Sequence, residues 1–262
     1  MTRTLLALSV AVLAALPAAA SARPDGSKPI TPGVYSALTT VPQTTLDAVG
    51  VSKLSDPAQF TRMRLDGPAL TRAGKPLVLS ANLSWCPHCA ANSWALGLAL
   101  ERFGSFTKLR TVDTGRFYSR EAGGPKSMDN TKGLSFWHAR YTSDYVAFTP
   151  VVLQDRRGRK VQTLTKAQTA ALKFAGGGLP AVSFGGAIGT VGSGYGPEFL
   201  GGASSTPLEI AQAMHRPDDP IGRRVDSLAN FFTAAICELT AGRPADVCTA
   251  GGTVAGQSEL PK

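Results

Sequence analysis

The most constraining stretch of this chain is a change of pattern that begins at residue 76. Pro76-Leu77-Val78-Leu79-Ser80-Ala81-Asn82-Leu83 is a short, bounded apolar run, as a buried strand requires, and Trp85-Cys86-Pro87-His88-Cys89 follows at once. From Ala90 to Phe103 the residues Trp94, Ala95, Leu98, Ala99 and Leu100 spread an apolar face at helical spacing, and Gly104 supplies a stop. Strand, Cys-x-x-Cys and helix in that order predict an α/β domain with both cysteines at a helix N-terminus.

That position suits reversible disulfide exchange. The first sulfur lies near unpaired N–H groups and the positive end of the helix dipole, which favour thiolate over thiol. The second is one turn on, within reach to close a small ring. Cys86 is therefore the expected nucleophile and Cys89 the resolving thiol. Pro87 suits the first helical turn, His88 can donate to the Cys86 thiolate, and Trp85 shields one side. Zinc sites also use Cys-x-x-Cys, but normally with a second such cluster. None follows here, so no metal is expected, and disulfide exchange needs no bound cofactor.

Residues 1–22 read as a leader: basic Arg3, an apolar stretch from Leu5 to Ala20, and Ala20-Ser21-Ala22 as the cleavage signal. The run is short for a spanning helix, so a soluble exported protein is expected, periplasmic or secreted; an uncleaved leader would leave a membrane anchor. Export favours disulfides. Four cysteines allow three connectivities, and spacing favours Cys86 with Cys89 and Cys237 with Cys248, the latter a structural disulfide or a second redox pair. The formal charge of +9, or +8 without the leader, suggests attraction to acidic surfaces. Arg156, Arg157, Arg159 and Lys160 around Gly158 read as a solvated hairpin tip, not as a nucleic-acid contact.

Residues 23–45, rich in proline and glycine, read as a flexible linker, 46–250 as the domain and 251–262 as a flexible tail. Leu109–Asp113 predicts a second strand, 115–134 a loop, and Phe136–Tyr141 and Tyr145–Leu153 further strands. Asp155–Gly158 reads as a hairpin turn leading to Val161–Leu164. A short helix ending at Phe174, a second hairpin about Gly185-Gly186 and a mobile Gly-rich loop over 192–202 follow. Asp219 and Pro220 open a long helix whose Ile221, Val225, Leu228, Phe232 and Ile236 mark one face. His138 reads as a strand histidine without catalytic duty, His215 as surface, and Trp94 and Trp137 as packing.

Trp-Cys-Pro-His-Cys after an apolar strand, with Leu179-Pro180 opening a strand about 90 residues on and Gly185-Gly186 beyond, resembles the thioredoxin fold; Cys-Pro-His-Cys is similar to the DsbA-type oxidants. The resemblance implies that Pro180 is a cis-proline facing the disulfide and that Leu179 pairs with the substrate chain, Thr149-Pro150 being the rival. Asn92–Leu96, Ala99–Phe106, Ala139–Ser143 and Ile236-Cys237 through Val247-Cys248 resemble a prokaryotic thioredoxin-like family of unknown function numbered nine-two-nine, over about residues 45 to 250. Together these imply a thioredoxin-like fold with an insertion between the second strand and the cis-proline strand, and a C-terminal helical extension. The implied activity is that of an extracytoplasmic thiol-disulfide oxidoreductase, an oxidant or isomerase. Its partners would be exported cysteine-containing clients and a redox partner in the membrane or envelope. The alternative is a non-catalytic protein- or metal-binding module on the same scaffold.

Overall fold

The structure, a computed structural model, describes residues 25–51, 59–64 and 69–262, so the leader expected over 1–22 lies outside the described residues. Order begins well before Thr45, which corrects the linker expected over 23–45. Lys28–Pro29 forms β1, Pro32–Thr39 forms α1 and Gln43–Val49 forms α2. The prolines that read as breakers are helix starts: Pro32 opens α1, where the Thr31 hydroxyl accepts from the Val34 N–H, and Pro42 caps α2. Val34 and Leu38, one turn apart, are buried in the main core.

Next come β2 (Gln59–Arg62), β3 (Thr71–Arg72), β4 (Lys75–Leu83) and α3 (Pro87–Glu101), the strand and helix that flank the cysteine motif. Beyond α3 lie β5 (Gly104–Thr107), β6 (Arg110–Asp113), the short α4 (Phe117–Glu121), β7 (Lys132–Ser135), β8 (Arg140–Ser143) and β9 (Ala147–Gln154). Then follow α5 (Lys166–Ala171), β10 (Ala181–Phe184) and β11 (Ile188–Val191). The chain closes with α6 (Pro207–Ala213), α7 (Pro220–Leu239), α8 (Ala245–Cys248) and α9 (Gly251–Glu259).

The chain is a mixed α/β protein built around a sheet in the order β2-β11-β10-β4, with β9 pairing parallel to β4 on the edge opposite β10. β10 and β11 form the antiparallel hairpin expected about Gly185-Gly186. Side chains alternate between the two faces. Val78, Val182, Phe184 and Ile188 join α1, α3 and α7 in the larger core; Leu79, Ala81, Val151 and Ala181 face Leu172 just beyond α5.

The second strand of this sheet is β9, not the expected 109–113. That segment, β6, pairs with β1 and β7 in a separate three-stranded sheet, and β5 pairs with β8. The extra elements therefore lie between α3 and β9. The physical difference lies in burial: β6 alternates buried with half-buried residues, whereas Phe148, Val151 and Val152 of β9 occupy both faces of a sandwiched parallel strand. The loop expected over 115–134 contains α4 and the start of β7.

Val161–Leu164 forms no hairpin strand; the pairing stops at a bridge between Gln154 and Lys160 and a bond from the Val161 N–H to the Leu153 carbonyl. The Gln162 side chain accepts from the Val152 N–H, doing the work of a paired strand. The expected tail at 251–262 is helix α9, packed on α7 and α2. Gly252 and Gly256 let the backbones meet: a Cβ would stand 2.5 Å from the Leu46 carbonyl oxygen at the first and 2.7 Å from the Asn230 carbonyl oxygen at the second. Cys237 in α7 and Cys248 in α8 are joined by a disulfide, with Cα atoms 5.6 Å apart. Among the described residues no helix is long and apolar enough to cross a membrane.

Candidate functional site

Cys86 is the N-cap of α3. Its sulfur takes the place of a capping oxygen, accepting from the Cys89 N–H at 3.2 Å, while its carbonyl accepts the first helical bond from Ala90. Pro87 occupies the first helical position, and nearly every later residue of α3 is buried, so this helix is held rigidly by its surroundings. Neither thiol is in a disulfide, and both are 6% exposed. A hydrogen bond from the Cys89 thiol lowers the pKa of Cys86 below the ordinary thiol value; burial opposes this, and the backbone N–H groups of Cys89 and His88 add to it. Cys89 moves well the other way, first through burial, then through the hydrogen bond it gives to Cys86 and the charge there. Its sulfur also accepts from the Leu83 N–H at 3.5 Å.

His88 supports the thiolate through its backbone N–H. Its imidazole places Nδ1 3.0 Å from Ser193 Oγ. The Ser193 hydroxyl donates to the Tyr195 carbonyl, so its oxygen is left to accept and His88 Nδ1 carries the proton of the contact. Trp85 donates from Nε1 to Gln154 Oε1, and its ring lies 5.0 Å from that of Phe117 and 6.3 Å from that of Tyr118. Tyr118 has its hydroxyl pKa raised by burial and by the charge on Cys86, so α4 stands beside the thiol pair.

The Leu179-Pro180 bond is cis, and the rival Thr149-Pro150 bond is not among the cis bonds of the described residues; Arg243-Pro244 is. Ala181 pairs with Ala81, which sets Pro180 at the end of β4 that leads into Cys86. Three bonds, two of them made by side chains of α3, link this segment through residues 192–193 to the first turns of the helix. The Pro180 carbonyl accepts from the Gly192 N–H, the Gly192 carbonyl accepts from Asn92 Nδ2, and Ser193 meets His88.

The stretch after β11 is thus no mobile loop at its start: Ser193 and Tyr195 are fully buried, and the Tyr195 hydroxyl donates to the Ala91 carbonyl. The sequence gives Ser193 no role and names Asn92 only within the family resemblance; the local hint is a serine and a tyrosine among glycines. His138 sits exposed in the turn between β7 and β8, at positive φ and not in a strand. His215 is half-buried, its Nε2 2.7 Å from the Ala37 carbonyl oxygen, and Trp94 is buried in the core as expected. Among the described residues no three His, Cys, Asp or Glu side chains come together to hold a metal, so Cys86, Cys89, His88 and His138 are not a ligand set.

Residues 61–175 match the family model for a domain of unknown function, DUF929. The DUF929 match covers less than half of the 262 residues; it includes Trp85 through Cys89 and ends before Leu179-Pro180. No curated protein and no solved structure matches the chain.

Proposed function

We propose that this protein is an exported thiol-disulfide oxidoreductase of thioredoxin-like architecture, acting as an oxidant or isomerase on exported proteins through Cys86 and Cys89. The observation that carries the reading is the opposed acidity of two adjacent thiols at one helix start: the capping sulfur is stabilised as thiolate and the inner one is kept protonated. The sheet supports it. A parallel β4–α3–β9 unit, followed by an antiparallel β10–β11 hairpin that opens with cis-Pro180, is the order the thioredoxin resemblance implies.

In the oxidising direction a client thiolate attacks Cys86 Sγ of the Cys86–Cys89 disulfide. A client–Cys86 bond forms, and Cys89 leaves as a thiolate that takes up a proton. A second client thiolate then attacks the client sulfur of the mixed disulfide, closing the client's disulfide and releasing Cys86 as thiolate. Two electrons pass from client to protein. Of the two client protons, one ends on Cys89 and one in solvent. The low pKa of Cys86 makes it the better leaving group in the second step, and the high pKa of Cys89 makes its return attack slow. A redox partner in the membrane or envelope would accept the two electrons and restore the disulfide.

Cys89→Ala removes the resolving thiol and should leave Cys86 covalently joined to clients when expressed in the native host. Disulfide-linked adducts of exported proteins, absent when Cys86 is also replaced, are the expected result. A variant that forms no such adducts contradicts the assignment.

A further inference from the structure

Next to the thiol pair the surface holds a cleft of about 580 Å³ whose lining is nearly all of one charge: Arg116, Arg120, Arg156 and Arg157 against the single acid Glu121. Two of the arginines flank or end α4, and two form the turn after β9. That turn is fixed from within. The buried Asp155 carboxylate accepts from the backbone N–H groups of Arg157 and Arg159 and from the Arg159 guanidinium. Arg116, Arg120 and Arg157 form no ion pair among the described residues, and Arg156 has only Asp113, at 3.8 Å, which Lys132 also holds at 2.7 Å.

The wall of this cleft is continuous with the redox site. Phe117 lines the cleft, and its ring lies 5.0 Å from that of Trp85, the residue before Cys86. Gly158 is needed to let the arginine turn close over Phe117, since a Cβ there would come within 2.3 Å of the ring. Four guanidinium groups, planar and always charged, are suited to bidentate pairing with carboxylates. The arrangement sets them around Phe117, whose ring meets that of Trp85, the residue before Cys86.

We propose that this cleft binds an acidic segment of the client protein, a stretch of Asp and Glu side chains flanking the cysteine that exchanges with Cys86. The proposal rests on the redox reading of Cys86 and Cys89 and adds client selection to it. Charge complementarity and contact with Trp85 through Phe117 favour a chain that continues from the reacting cysteine, rather than a ligand bound apart from the reaction.

The test uses the full chain in its oxidised form and two synthetic peptides, each with one cysteine, flanked by Asp and Glu in the first and by Asn and Gln in the second. The acidic peptide should exchange on the order of tenfold faster at low ionic strength, with the ratio shrinking as salt is added. In Arg120→Gln/Arg157→Gln the ratio should fall toward one. Equal rates in the parent, or a ratio that survives the double substitution, overturn the proposal while exchange itself upholds the redox reading. Cysteine-free versions of both peptides separate the two ideas in the other direction: if neither cysteine peptide exchanges but the parent alone binds the cysteine-free acidic one, the cleft stands and the redox reading fails. Binding of the parent to anionic lipid vesicles with no discrimination between peptides also overturns the proposal.

Discussion

Asp226 is the least comfortable residue of the core. It is fully buried in α7, and neither carboxyl oxygen has a hydrogen-bond partner among the described residues. Burial, and then the charge of Asp219, push its pKa well up, and Tyr195, which faces it, is pushed up by burial and by Asp226. Its folded pKa lies above the unfolded value of about 3.9, so folding favours the neutral acid; the cost appears as pH rises through the interval between the two values and is full above it. Asp226→Asn should therefore raise stability at pH 7 by roughly 1–3 kcal/mol, with the gain vanishing near pH 3, as urea midpoints at the two pH values would show. A variant no more stable than the parent at pH 7 contradicts this. At this scale the sequence is legible where chemistry is local. Cys86 and Cys89 are recognisable because a helix start acts on its own neighbours, whereas the contact between His88 and Ser193 spans 105 residues of chain, and no local pattern contains that.

At the scale of elements, buried apolar runs and helix caps were readable, and sheet membership was not. Pro76–Leu83 and the Asp219-Pro220 start of α7 lie where the pattern puts them, and the Asp219 carboxylate accepts from the N–H groups of Ile221 and Gly222. Composition misled at both ends of the chain, because proline at a helix start and glycine at a close helix crossing look in sequence like linker and tail. Pairing Cys237 with Cys248 rested on spacing, and the two are bonded, joining α7 to α8. The loop they close spans a sequence separation of 11, worth roughly 2–3 kcal/mol on the loop-entropy account. Cys237→Ala/Cys248→Ala should lose about that much stability in urea and keep its exchange rate with a thiol peptide. If exchange fell as far as in Cys86→Ala, the second pair would be part of the redox chemistry instead.

For the whole molecule, the arrangement brings separate segments to one end of the sheet. β4 delivers Cys86, cis-Pro180 opens the neighbouring strand, residues 192–193 bind both Pro180 and α3, and the inserted α4 stands beside Trp85. Everything that stabilises the Cys86 thiolate also stabilises the reduced protein, which makes the disulfide more oxidising; each 30 mV corresponds to about 1.4 kcal/mol. The most direct measurement is the equilibrium of the purified protein with reduced and oxidised glutathione, following the Cys86–Cys89 bond by mass. The account predicts a reversible two-electron couple at a potential between about −270 mV, the thioredoxin value, and about −120 mV, that of the strong oxidant DsbA. Cysteines that never pair with each other, or a couple as reducing as thioredoxin, would contradict it.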